Sequence, residues 1–215
     1  MPLIDFILHI DVHLGEIIAN YGMMTYAILF GIIFAETGLV FTPFLPGDSL
    51  LFAGGMFAAT GSFNVLFLAL LLWAAAFIGD NTNYWIGYYF GQKIVANKYI
   101  PINQNHIDET QKFYAKHGGK TIFLARFMPI VRTFAPFVSG IGKMDYGKFV
   151  FYSFTGGFTW ISLFIFVGYF FGNIPIIRQN FSVVIMGIIA VSVLPAIFKI
   201  IKSKLTNQSA VATNN

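Results

Sequence analysis

The chain has 215 residues, of which 57% are hydrophobic and 10% charged, with a formal charge of +4 and no cysteine. Soluble domains average about 25% charged residues, so most of this chain belongs in lipid. The missing cysteine excludes disulfides, a thiolate metal site and a cysteine nucleophile, and the lysines sit beside apolar spans rather than on a basic face, which argues against nucleic acid.

Taken in chain order, residues 3–20 carry Asp5, His9, His13, Glu16 and Asn20 on one side of a helical repeat and Leu3, Ile7, Ile10, Leu14 and Ile18 mainly on the other. That pattern predicts an amphipathic helix at the membrane interface. Met1-Pro2-Leu3 lacks a basic n-region, and no removable signal peptide is expected. His9 and His13 have a metal-like spacing but no third ligand nearby, so a polar helix face is the reading and no metal is expected. Residues 21–40 form the first long apolar segment, with Glu36 unusually deep in it.

The run Phe41-Thr-Pro-Phe-Leu-Pro-Gly-Asp48 cannot continue a helix, because proline lacks the N–H and its ring clashes with the preceding turn. Non-helical backbone between apolar stretches is tolerated at membrane depth only inside protein or against a wet cavity, which predicts a re-entrant hairpin over 42–62. Residues 64–90 are long enough to span, and Gly87 and Gly91 permit close helix contact. Asp80 is the only ionisable charge between Asp48 and Lys93; it is a third buried acid or a cap for polar neighbours. Residues 92–118 are the one extended polar stretch and read as a connecting loop, partly helical.

Residues 119–141 repeat the earlier theme of apolar residues, paired prolines (Pro129, Pro136) and embedded charge (Arg126, Arg132), and form a second hairpin candidate. Spans over about 147–172 and 181–201 follow, then an uncharged polar tail expected to be disordered. Gly168 and Gly172 mark helix packing. All ten lysines, at 93, 98, 112, 116, 120, 143, 148, 199, 202 and 204, can lie on one side under a single topology. The positive-inside rule makes that side, and the C-terminus, cytoplasmic. The hairpins then enter from opposite faces, the pointer to an inverted-repeat transporter with a midplane site.

A charge at bilayer depth costs at least about 2.5–3.5 kcal/mol, so Glu36, Asp48, Arg126 and Arg132 need a reason to be there. One reason is mutual neutralisation, since the four sum to zero. The other is function: guanidinium matches phosphate oxygens bidentately and stays protonated when buried, while carboxylates in apolar surroundings can exchange protons near neutral pH. Arg126 and Arg132 fall on different faces of an uninterrupted helix, but Pro129 between them can redirect the chain. No phosphate loop, nucleophile elbow or metal-hydrolase motif is present, so an enzyme is not expected.

Several ordered motifs resemble the DedA family, also called the SNARE-associated or VTT-domain family. They are Glu36-Thr-Gly with Pro43-Phe-Leu-Pro-Gly-Asp48-Ser-Leu-Leu, then Gly79-Asp80 followed by Tyr84, Gly87 and Gly91, then Phe123-Leu-Ala-Arg126-Phe-Met-Pro129-Ile-Val-Arg132-Thr-Phe-Ala-Pro136. Gly140, Met144, Phe149, Gly156 and Trp160 continue the resemblance, whereas Ser153 stands where the family commonly has Asn. The resemblance implies opposed re-entrant hairpins, a bacterial inner-membrane location, and essential roles for Glu36, Asp48, Arg126 and Arg132. It also implies transport of undecaprenyl phosphate from the outer to the inner leaflet, or support of the proton motive force.

The expectation is therefore an all-α, polytopic membrane protein with two opposed re-entrant helical hairpins and inverted-repeat-like architecture. Its divisions are an amphipathic helix over 1–20, a transport domain over 21–201 and a cytoplasmic tail over 202–215. Arg126 and Arg132 would hold a lipid phosphate, Glu36 and Asp48 would gate or couple through protons, and Asp80 would be accessory. The alternative is a proton-coupled antiporter for small cations or drugs using the same residues. A scaffold for other envelope proteins is a third class. No cofactor is expected, the partners are a polyprenyl phosphate and protons or another coupling cation, and an oligomer is compatible with the sequence.

Overall fold

A computed structural model describes residues 10–39, 47–95, 118–179, 184 and 187. Among them there is no strand. The helices are α1 (Ile10–Tyr21), α2 (Met24–Gly38), α3 (Gly47–Ala59), α4 (Val65–Val95), α5 (Lys120–Ala125), α6 (Pro129–Ile141), α7 (Tyr146–Gly172) and α8 (Pro175–Gln179). The all-α expectation is met. The prolines at 43 and 46, the lysines at 98, 112, 116, 199, 202 and 204, the expected span over 181–201 save positions 184 and 187, and the tail lie outside the described residues.

Among the described residues two helices are long and apolar enough to cross a membrane, over Val65–Gly91 and Tyr146–Gly172. At 1.5 Å per residue each such stretch is about 40 Å long, against a hydrocarbon core of about 30 Å. α4 runs on to Val95, so the expected loop over 92–118 begins later than its polarity suggests. α2 has 15 residues, about 22 Å, too short to span alone. α1 is the described part of the amphipathic segment: Leu14 is buried, Glu16 is exposed, and His13 lies 3.6 Å from Glu16.

The second hairpin candidate is a broken pair: α5 ends at Ala125, residues 126–128 turn, and Pro129 starts α6. Proline suits a first helical position because its fixed φ fits and the N–H it lacks would have had no intrahelical partner. In the first candidate, α3 is followed by a turn in which Gly61 has φ of 87°, a conformation open to glycine without steric cost.

Packing follows two backbone-close crossings, α3 on α7 and α4 on α6. A methyl group at Gly55 would overlap the carbonyl oxygen of Ile165, and one at Gly168 that of Phe52. In the other crossing, Gly140 meets the Tyr84 carbonyl and Gly87 meets that of Phe137. Gly172 sits against Met56, as Gly91 sits against Ile141. These contacts correspond pair by pair, with one constant sequence shift from α3 to α6 and another from α4 to α7. Each short helix therefore packs on the long helix of the other half. The core at the first crossing includes Leu50, Phe52, Ala53, Met56, Ile161 and Ile165.

Candidate functional site

The buried charges gather where α2, α3, α4, α6 and α7 meet, in two groups. In the first, Arg132 lies between two carboxylates: Nη2 donates to Glu36 Oε1, and Nη1 donates to Asp48 Oδ1 at 2.6 Å. The indole Nε1 of Trp160 donates to the same Asp48 oxygen at 2.8 Å. Glu36 is fully buried, Arg132 is 5% exposed, and the Asp48 side chain is 15% exposed.

In the second group, Arg126 Nη2 pairs with Asp80 Oδ2. Ser153 Oγ donates to that oxygen at 2.6 Å and accepts from Arg126 Nη2 at 3.4 Å. The position where the family commonly has Asn thus holds a hydroxyl that bridges the ion pair in this chain. Ion pairs this deep survive only with good geometry and further hydrogen bonds, because removing each charge from water costs several kcal/mol.

Local sequence explains how the groups meet. Arg126 caps α5 and Arg132 lies in the first turn of α6, so the turn at 126–128 lets two arginines six residues apart approach a common point. That point is the fully buried indole of Trp160, whose ring centroid is 4.6 Å from the Arg132 guanidinium carbon and 5.9 Å from that of Arg126. Both distances are within reach of cation–π attraction. Asp48 stands in the first turn of α3, where the helix dipole favours an anion. Gly47, just before it, leaves room for the Glu36 carboxylate, which a methyl group there would overlap.

The pairing differs from a pooled neutralisation of Glu36, Asp48, Arg126 and Arg132. Arg126 takes Asp80, and Arg132 takes both other acids. Counting Asp80, three carboxylates face two guanidiniums, leaving one negative charge when all are ionised. Three atoms in the cluster are buried without a hydrogen-bond partner among the described residues: Glu36 Oε2, Arg126 Nη1 and Arg132 Nε. Two of these are cationic donors, the groups an added anion would use. Among the described residues no group of three or more His, Cys, Asp or Glu could hold a metal ion.

An apolar cavity of about 320 Å³ lies farther along the same helices, lined by Phe52, Leu163, Phe164, Val167, Phe171, Ile177 and Val184. Phe52 is one helical turn from Asp48, and Leu163 and Phe164 are one turn from Trp160. Trp160 and the cavity wall are the parts of the site that charge-based reading passes over. Apolar positions in a span look alike until the fold decides which face a charge.

The VTT domain model matches residues 45–170, a range that holds Asp48, Asp80, Arg126, Arg132 and Trp160 but begins after Glu36. Protein DedA of Escherichia coli (strain K12) is 55% identical over 205 residues, 94% of each chain. An uncharacterized membrane protein of Mycobacterium leprae is 41% identical over 167 residues, 77% of this chain and 75% of its own. The inner membrane protein YqjA of Escherichia coli (strain K12) is 32% identical over 164 residues, 75% of this chain and 74% of its own. No solved structure matches the chain.

Proposed function

The chain belongs to the DedA family of VTT-domain membrane proteins, and from that premise we propose that it translocates a lipid phosphate, undecaprenyl phosphate returning from the outer to the inner leaflet. The observation that carries this reading is the pair of buried arginines flanking Trp160, each with an N–H donor that has no partner among the described residues. A guanidinium with spare donors, sunk among apolar helices, suits a phosphate better than water does. The cavity along α3 and α7 supports it, since a head group beside Asp48 and Trp160 would place its tail there.

The same geometry suggests how protons couple to the cycle. Arg132 is held by Glu36 and Asp48; protonating them releases it, and phosphate takes their place. Delivery to the other leaflet lets the carboxylates ionise and recapture the arginine. In this reading the two hairpins enter from opposite faces of an inner membrane as an inverted repeat with a cytoplasmic C-terminus; the paired glycine crossings support the internal repeat, and the lysine distribution supports the orientation. The excess of one acid over the arginines favours the second reading, a proton-coupled cation or drug antiporter.

In proteoliposomes with leaflet-resolved detection, polyprenyl phosphate should be moved by the wild type. Arg132→Lys should reduce that rate about tenfold or more, the loss of one or two charge-assisted hydrogen bonds. Glu36→Gln with Asp48→Asn should abolish dependence on a proton gradient. Cation-driven proton exchange without lipid movement would replace this reading by the antiporter.

Gly47→Ala gives a milder test. Because the overlapping atoms are the far end of Glu36, the side chain can move and the fold remains. Transport should fall about tenfold as one charge-assisted bond is lost, with the unfolding temperature within a few degrees of wild type. An unimpaired rate would show that the Glu36–Arg132 pair is not part of the cycle.

A further inference from the structure

We propose that Asn83 is a positioning residue that fixes the spacing between Glu36 and Arg132 by tying α2 to α6 through one side-chain amide. Asn83 lies on α4 and is fully buried. Its Nδ2 donates to the carbonyl of Thr133 at 2.8 Å and to that of Thr37 at 3.1 Å. Thr37 directly follows Glu36, and Thr133 directly follows Arg132. One amide thus uses both hydrogens on the backbones that carry the two partners of the buried ion pair.

Both carbonyls are accessible for physical reasons. Thr37 is in the last turn of α2, where carbonyls lack an intrahelical N–H. Thr133 lies where α6 faces Asn83, and a helical carbonyl oxygen keeps a second lone pair for such a donor. α2 and α6 touch sparsely compared with their contacts to α4, so α4 mediates their separation. Gly79, one turn before Asn83, brings α4 against Thr37 and Gly38, and Gly87, one turn after, brings it against Phe137.

Hydrogen-bond energy favours the amide here only modestly, two bonds against one unpaired acceptor. Its Oδ1 is buried without a hydrogen-bond partner among the described residues, and an unpaired buried acceptor costs about as much as one such bond returns. A leucine of similar size would remove that acceptor but leave the Thr37 carbonyl, which has no intrahelical N–H, without its donor. What leucine cannot do is hold two helix backbones at a set distance.

The test uses the full chain, which has no native cysteine to remove. Spin labels at Leu39, just after α2, and Met128, just before α6, both exposed, report the α2–α6 distance by dipolar EPR. A second pair at Thr60 and Phe170, also exposed, reports the α3–α7 crossing as a control. Asn83→Leu should broaden or shift the first distribution by several ångströms and leave the second unchanged, with the protein folded. Asn83→Asp, equal in size but able to donate to at most one of the two carbonyls, should do the same and serves if the leucine variant fails to insert. An unchanged first distance, or equal broadening at both pairs, overturns the proposal. Neither reading depends on what is transported, so this result stands apart from the transport assay.

Discussion

Replacing Arg132 by methionine should destabilise the protein by about 3–5 kcal/mol, the range for removing one partner from a buried ion pair. The guanidinium compensates two carboxylates, of which Glu36 is fully buried, and methionine leaves both facing apolar surroundings and the Trp160 ring. The loss should appear as a lowered thermal unfolding temperature in detergent. Adding Glu36→Gln and Asp48→Asn to the same chain should recover much of it, because neutral amides remove the uncompensated charge. Asp48 will contribute less than Glu36 to that recovery, being 15% exposed. An Arg132→Met protein that melts with the wild type would mean the cluster is solvated in ways the buried geometry does not permit.

The next largest effect is expected at the crossings. Gly168→Val puts a branched side chain onto the Phe52 carbonyl. That is backbone, unable to swing aside, so α3 and α7 must separate. Overpacking of this kind costs about 1–3 kcal/mol and can cost more, and it carries Asp48 away from Trp160. Gly87→Val should do the same to α4 and α6 through the Phe137 carbonyl. Gly31→Val is the control, since no described residue lies within 4 Å of an added Cβ there. Thermal unfolding of the three variants should separate the first two from the third, and equal melting of all three would remove the crossings as determinants of the fold.

Charges in apolar sequence are legible because their cost is large and local, so Glu36, Asp48, Arg126 and Arg132 stand out without a structure. Glycines at helical spacing are legible for a similar reason: Gly87 with Gly91 and Gly168 with Gly172 announce close packing, though not the partner. Partner choice is what sequence withholds. Arg126 is nearer in sequence to Arg132 than to any acid, yet it pairs with Asp80, because the helix crossings bring α4 and α5 to α7. Asp80 accordingly joins the cluster as a full member, where its sequence allowed either an ion pair or a cap. Asn83 was one polar residue among several on α4. Its two bonds exist only because α2 and α6 approach the same face. Trp160 carries no charge, and its contact with two guanidiniums follows entirely from tertiary placement.

The interlocked packing of α3 on α7 and of α4 on α6 has a consequence for biosynthesis. The ribosome releases Glu36, Asp48 and Asp80 before either arginine, and α6 and α7, the helices that α4 and α3 cross at their glycines, are made with or after the arginines. Until α6 and α7 enter the membrane, the first half holds three acids without their cations and two short-range glycine faces without their backbones. Translation from the N-terminus therefore leaves the acids without compensating charge until the second half is made. Arrival of Arg126 and Arg132 then completes the ion pairs, making charge compensation a late step in the assembly of the protein itself.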